Sequence, residues 1–177
     1  MRTLVLGLGN EYAGDDAVGV LVARAVREEL AGGADVVESS ASGMALLEVF
    51  AGYDRAVVVD SIRTGRDPAG TITELGLADV GRVVAPSLHH AGLPELAAVG
   101  ARLGLGFPAE TRVLAVEVVD PYTFGAPLSE PVARVLGELA RRVTDQIERW
   151  TSEDAAARGS EGAACTTTTP SALSSSA

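Results

Sequence analysis

The chain has 177 residues, 47% hydrophobic but only 4% aromatic, and a formal net charge of −10. That length suits one domain with a substantial core, which Val, Leu, Ile and Ala must fill, as in a sheet covered by helices. A pI near 4.6 sets up a field that repels phosphate backbones and anionic lipid, so nucleic acid and membrane surfaces are excluded as partners.

Met1-Arg2-Thr3 leads straight into Thr3 to Leu8 (TLVLGL), a short apolar run read as a buried strand. Gly9 to Gly14 reads as a loop. An aspartate N-cap at Asp15 or Asp16 then opens a helix with Val18, Leu21, Val22, Ala25, Val26 and Leu30 at helical spacing. Ala34 to Glu38 reads as a second strand. Gly43 to Phe50 reads as a second helix, with Met44, Leu46, Leu47 and Phe50 as its apolar set. Arg55 to Asp60 (RAVVVD) is the clearest buried strand, and Thr71 to Leu75 gives another after a turn-rich stretch. A helix covers roughly Leu93 to Leu103, and Thr111 to Val119 is a further strand. Ser129 caps a final helix reaching about Trp150, with Pro131 tolerated in its first turn. Strands alternating with helices imply βαβ units, hence a single-domain three-layer α/β/α sandwich with a mostly parallel twisted sheet. Residues 1–150 form that domain. Residues 151–177 shift to Ala, Ser, Thr and Gly and are expected to be a low-complexity, disordered tail.

Two absences narrow the chemistry. There is no lysine, which excludes a Walker P-loop, a Schiff-base lysine and a Ser–Lys dyad. The single cysteine, Cys165, excludes a disulfide framework, a zinc ribbon or a Cys-ligated iron–sulfur cluster within one chain. No signal-peptide pattern is present and no apolar run approaches the ~18 residues of a membrane span, so the expected location is the cytoplasm.

Ligands of open parallel sheets bind beyond the carboxyl ends of strands. Three groups fall there: Asp16 after the first strand, Asp60 ending the strand from Arg55, and His89 in a loop entering a helix. Two carboxylates and an imidazole suit a borderline divalent metal with positions left for water or substrate. Each has a plainer reading as well. Asp16 serves equally as an N-cap, Asp60 as the anchor of a turn, and His89, like His90, as an exposed or structural histidine.

Motifs tip that balance. The run GLGNEYAGDDAVGV, Gly7 to Val20, resembles the opening of the nickel–iron hydrogenase maturation endopeptidases, where a GxGN loop leads to an acidic pair and then a glycine. Those positions are Gly7, Gly9, Asn10, Asp15, Asp16 and Gly19. AVVVDSI, Ala56 to Ile62, is similar to that family's strand ending in a metal-contacting aspartate. Pro68 to Thr71 resembles its Pro-Gly turn, and SLHHAGLPEL, Ser87 to Leu96, its Ser-x-His followed by Gly-Leu.

The resemblance, spanning about residues 1 to 150, implies that Asp16, Asp60 and His89 are metal ligands, and catalytic groups too if the metal they hold takes part in the reaction; the alternative is that it only anchors the substrate. The implied substrate and partner is the precursor of a nickel–iron hydrogenase large subunit, already loaded with nickel, from which a short C-terminal peptide is removed. The nickel would be that of the precursor, with another divalent metal able to substitute in the resting enzyme. Nothing demands more than a monomer. One departure bears on substrate choice: the loop after the second strand, Glu38 to Gly43, keeps only Gly43 of the glycine-containing pair usual there.

Other chemistries fit less well. There is no GxSxG elbow, and Asp60-Ser61-Ile62 falls one residue short of the Asp-Ser-Gly signature of aspartic proteases. A dinucleotide-binding oxidoreductase requires a third glycine where Tyr12 stands, and Asp15 and Asp16 would crowd a pyrophosphate. A non-catalytic, nickel-dependent checkpoint protein binding the same precursor would use the same residues as the endopeptidase, and turnover alone separates the two.

Overall fold

A computed structural model of the chain describes residues 1–80 and 92–164, with side chains described to residue 158. Five strands form one sheet in the order β2-β1-β3-β5-β4. They are β1 (Thr3–Leu8), β2 (Asp35–Ser39), β3 (Arg55–Ile62), β4 (Ile72–Gly76) and β5 (Glu110–Glu117). The helices are α1 (Val18–Val26), α2 (Leu46–Phe50), α3 (Leu77–Val80), α4 (Leu93–Arg102) and α5 (Glu130–Ala164), with 3-10 turns at Gly14–Ala17 and Gly43–Ala45.

Side chains alternate across the central strands and divide the core in two. Leu4, Leu6 and Leu8 of β1 join Ala56 and Val58 of β3 under Leu46, Phe50, Leu93 and Leu96 of α2 and α4. Val5, Val57 and Val59 face the other way, against Val22 and Val26 of α1 and Leu139, Val143, Ile147 and Trp150 of α5. This is the expected α/β/α sandwich. β1, β2, β3 and β5 run parallel, while β4 lies antiparallel to β5, Ile72 opposite Val116. Residues 63–71 simply turn the chain back over the end of β5, too short a link for the crossover that a parallel partner requires.

Several boundaries differ from the sequence reading, three of them with a physical reason. β3 continues through Ile62 because its ladder with β5 runs on to Ile62 opposite Glu117. The second helix begins as a 3-10 turn, which breaks the 3.6-residue period and leaves Met44 56% exposed instead of buried. The last helix, read as ending near Trp150, continues to Ala164. Arg55, at the start of β3, holds this extension: its guanidinium meets Asp154 Oδ1 at 3.0 Å and lies 5.5 Å from the Trp150 ring. Among the described residues, no helix is long and apolar enough to cross a membrane.

β1 sits inside the sheet with β2 on one side and β3 on the other, so the chain leaves its carboxyl end in one direction and later returns on the other side. The crevice between the ends of β1 and β3 is therefore the switch point where an open α/β sheet binds ligands. Close approach of α1 to this seam depends on glycine. A Cβ on Gly19 would lie 2.2 Å from the Leu8 carbonyl oxygen and 2.3 Å from that of Val59, and one on Gly7 would lie 2.2 Å from the Gly19 carbonyl oxygen. Gly9, at φ +135°, lets the next loop close on Asp16, whose carbonyl oxygen would be 1.8 Å from an added Cβ. Three glycines of the Gly7–Val20 motif are thus steric requirements of one corner.

Candidate functional site

Asp16 and Asp60 both lie at this switch point, and each accepts a hydrogen bond from Ser61. Asp16 lies in the Gly14–Ala17 turn and is 3% exposed, while Asp60, within β3, is fully buried. The Ser61 hydroxyl donates to Asp16 Oδ1 at 2.8 Å, and the Ser61 amide donates to Asp60 Oδ1 at 2.8 Å. Asp16 Oδ2 accepts the Asn10 amide at 2.7 Å. A carboxylate is an acceptor with about four lone-pair sites, so donors of this kind fix which way it faces.

The expected aspartate N-cap is absent. The residue before the turn is Ala13, and no side chain caps it. Both acidic groups are engaged elsewhere, in different directions. Asp15, 1% exposed, accepts the amides of Val119 (3.1 Å), Asp120 (3.3 Å) and Ser129 (2.6 Å) together with the Ser129 hydroxyl (3.0 Å). It therefore pins residues 119–129 beside the turn. Ser129 does precede α5, its carbonyl taking the Ala133 amide at 2.9 Å, but its hydroxyl serves Asp15.

Two further groups at this edge escaped the sequence reading. Glu117, at the end of β5, is buried and accepts the Thr64 amide and hydroxyl and the Gly65 amide, at 2.8, 2.7 and 2.7 Å. It fixes the entry to the 63–71 link as Asp15 fixes residues 119–129. A single acid in the apolar run Val113 to Val118 was the available signal, because a buried carboxylate requires donors. Ser61 carried no signal beyond its place after Asp60.

A cleft of about 200 Å³ opens beside Asn10, lined by Gly9, Tyr12, Arg24, Glu38 and Ser39. Arg24 bridges Glu11 (2.7 Å) and Glu38 (2.8 Å), and hydrogen bonds to these two carboxylates raise its already high pKa. The Asn10 amide, in the loop where a dinucleotide's pyrophosphate would sit, is already committed to the Asp16 carboxylate, which disfavours anion binding there.

His89, the third residue of the expected set, and His90 lie outside the described residues, as does Cys165. Among the described residues no three His, Cys, Asp or Glu side chains are gathered to hold a metal ion. The two carboxylates that are described have the oxygen-donor chemistry of a divalent cation site.

No protein-family model matches the chain. The hydrogenase 2 maturation protease of Escherichia coli strain K12 is 26% identical over 165 residues, covering 87% of this chain and 100% of that protein. Among solved structures, the hydrogenase maturating endopeptidase HybD from E. coli superposes with a TM-score of 0.71 at 23% identity, covering 84% of this chain and 93% of that one. The [NiFe] hydrogenase maturation protease HybD from Thermococcus kodakarensis gives 0.66 at 23% identity, covering 83% and 99%.

Proposed function

We propose that this chain, which has the fold and the sequence signature of the hydrogenase maturation endopeptidases, is itself an endopeptidase that removes a short C-terminal peptide from the precursor of a nickel–iron hydrogenase large subunit. The observation that carries this reading is the convergence of buried Asp16 and Asp60 on Ser61 at the switch point of the sheet. His89 is the third ligand by the resemblance of Ser87 to Leu96. The metal is the nickel that the precursor already holds, with another divalent ion able to stand in for it in the resting enzyme, and the reaction takes place in the cytoplasm.

Cutting an amide requires an activated water and stabilisation of the developing oxyanion. Asp16, Asp60 and His89 would hold a divalent metal, which would supply Lewis acidity toward the scissile carbonyl and lower the pKa of the attacking water. Ser61 and the Asn10 amide orient the carboxylates, the role that hydrogen-bonding neighbours play at metal sites. Their donors occupy set directions, so the Asp16 carboxylate enters the reaction without reorganising.

The test is incubation of the purified protein with nickel-loaded precursor, read by mass spectrometry for the released peptide, alongside nickel-free precursor and the Asp16→Ala and His89→Ala variants. Release that requires nickel and both side chains supports the reading. Stable nickel-dependent binding without release assigns the chain instead to a checkpoint role. Release from nickel-free precursor by Asp16→Ala would overturn the assignment of the site.

A further inference from the structure

Three of the chain's few aromatic residues stand in solvent at the rim of this site. Tyr12 is 59% exposed, Tyr122 52% and Phe124 74%, whereas Phe50 and Trp150 are buried in the core. The Tyr12 and Phe124 rings pack on each other with centroids 5.7 Å apart. Their backbones are held too. Ala13 and Phe124 form an antiparallel bridge, the Gly125 amide donates to the Tyr12 carbonyl at 2.7 Å, and Asp15 anchors both ends of the segment carrying Phe124. Within that segment Asp120 Oδ1 accepts the Tyr122 and Thr123 amides at 2.9 and 3.2 Å, and the Arg63 guanidinium lies 5.9 Å from the Tyr122 ring.

Tyr12 joins this rim to the chemistry. Its amide donates to Asn10 Oδ1 at 3.0 Å, and the Asn10 amide in turn holds Asp16. Tyr12 also lines the 200 Å³ cleft. A permanent subunit seated on the aromatic pair would therefore cover the cleft, whereas a substrate must reach both. Exposed apolar surface on a rigid backbone is pre-organised for binding, because little ordering entropy remains to be lost.

We propose that Tyr12 and Phe124 form a docking platform that grips an apolar stretch of the substrate polypeptide beside the bond to be cut. The platform rests on the endopeptidase reading and sets affinity, leaving the chemical step to the buried carboxylates.

The experiment is steady-state cleavage of nickel-loaded precursor by the full chain and by Tyr12→Ser, Phe124→Ser, the double variant and Tyr12→Phe. Leu103→Ser serves as control, since Leu103 is equally exposed (62%) at the end of α4. Circular dichroism checks folding. The double variant should raise KM about tenfold, as truncation of an interface anchor does, with kcat within about twofold. Tyr12→Phe should keep the wild-type KM, and Leu103→Ser should change neither constant. A folded double variant with unaltered KM overturns the proposal, as does a fall in kcat alone or an equal effect of Leu103→Ser. Concentration-dependent dimerisation abolished by the double variant would also overturn it, by giving the patch to a second copy. If the wild type does not cleave, the endopeptidase reading has failed, and equilibrium binding of the same precursor decides the platform. About tenfold weaker binding by the double variant supports it; equal binding, or none by the wild type, refutes it.

Discussion

Replacing Asp15 by Asn tests whether the first acid of the pair is a structural clamp. In the native turn Oδ1 takes the Ser129 amide, while Oδ2 takes the Val119 and Asp120 amides and the Ser129 hydroxyl. An amide side chain offers one acceptor oxygen. Its least costly orientation keeps that oxygen toward the three donors at Oδ2 and turns the NH2 toward the Ser129 amide, donor against donor. Stranding one part-buried N–H costs about 1–3 kcal/mol, and the remaining bonds drop from charge-assisted to neutral strength. A net loss of about 3 kcal/mol follows, which for a chain of this size lowers the thermal midpoint by about 6–12 °C. Thermal unfolding followed by circular dichroism reads the shift, and hydrogen exchange at the amides of 119, 120 and 129 locates it. Ser129→Ala removes one of the four bonds and should cost about 1 kcal/mol, less than additively with Asp15→Asn because the two share that bond. An Asp15→Asn protein melting within a degree of wild type, with unchanged exchange at those amides, would refute the clamp.

Gly19→Ala places a methyl group against two backbone carbonyls that have nowhere to move, so α1 must lift from the β1–β3 seam. The expected cost is about 3 kcal/mol or more, read as a lowered denaturant midpoint. Gly137→Ala on α5, where an added Cβ meets nothing within 4 Å, should instead stabilise by about 1 kcal/mol, and equal behaviour of the two variants would sink the packing argument. Hydrogen bonds from the Thr123 hydroxyl first, then the Tyr122 amide, hold the Asp120 carboxyl below its usual pKa. A depressed carboxylate contributes stability that is present above its unfolded value, about 3.9, and is lost as pH falls through the lower folded value. Protection of the Tyr122 and Thr123 amides, corrected for the base-catalysed intrinsic exchange rate, should therefore fall only below about pH 4; loss of protection as pH rises from neutrality would contradict the assigned cause.

Much of the fold was legible because its strands are unbroken apolar runs. Thr3 to Leu8 is buried on both faces, which only an interior strand of a covered sheet requires, and β1 occupies that very span. What the pattern lacked was direction and the treatment of charge. Nothing in Ile72 to Gly76 distinguishes a parallel from an antiparallel partner; the brevity of the preceding link does. Asp60 looked like a strand terminus because a carboxylate is costly to bury, yet the ladder passes through it to Ile62.

The placement of the two candidate carboxylates was legible for a related reason. Sequence can bring Asp16 and Asp60 to carboxyl ends of strands, but it does not reveal the hydroxyl that binds Asp16, because Ser61 becomes informative only once alternation puts it on the α1 face beside Asp16. Nor does it separate Asp15 from Asp16. Adjacent identical residues in a 3-10 turn point about 120° apart, so one carboxylate reaches the seam while its neighbour reaches residues 119–129. That divergence gives the Gly7–Val20 motif a physical logic. Its glycines bring α1 and the loop into contact with the strand ends, its second aspartate faces the switch point, and its first fastens the segment carrying Phe124 beside Tyr12. Losing Asp15 should therefore disturb substrate affinity as well as stability, through a rim that it holds but does not form.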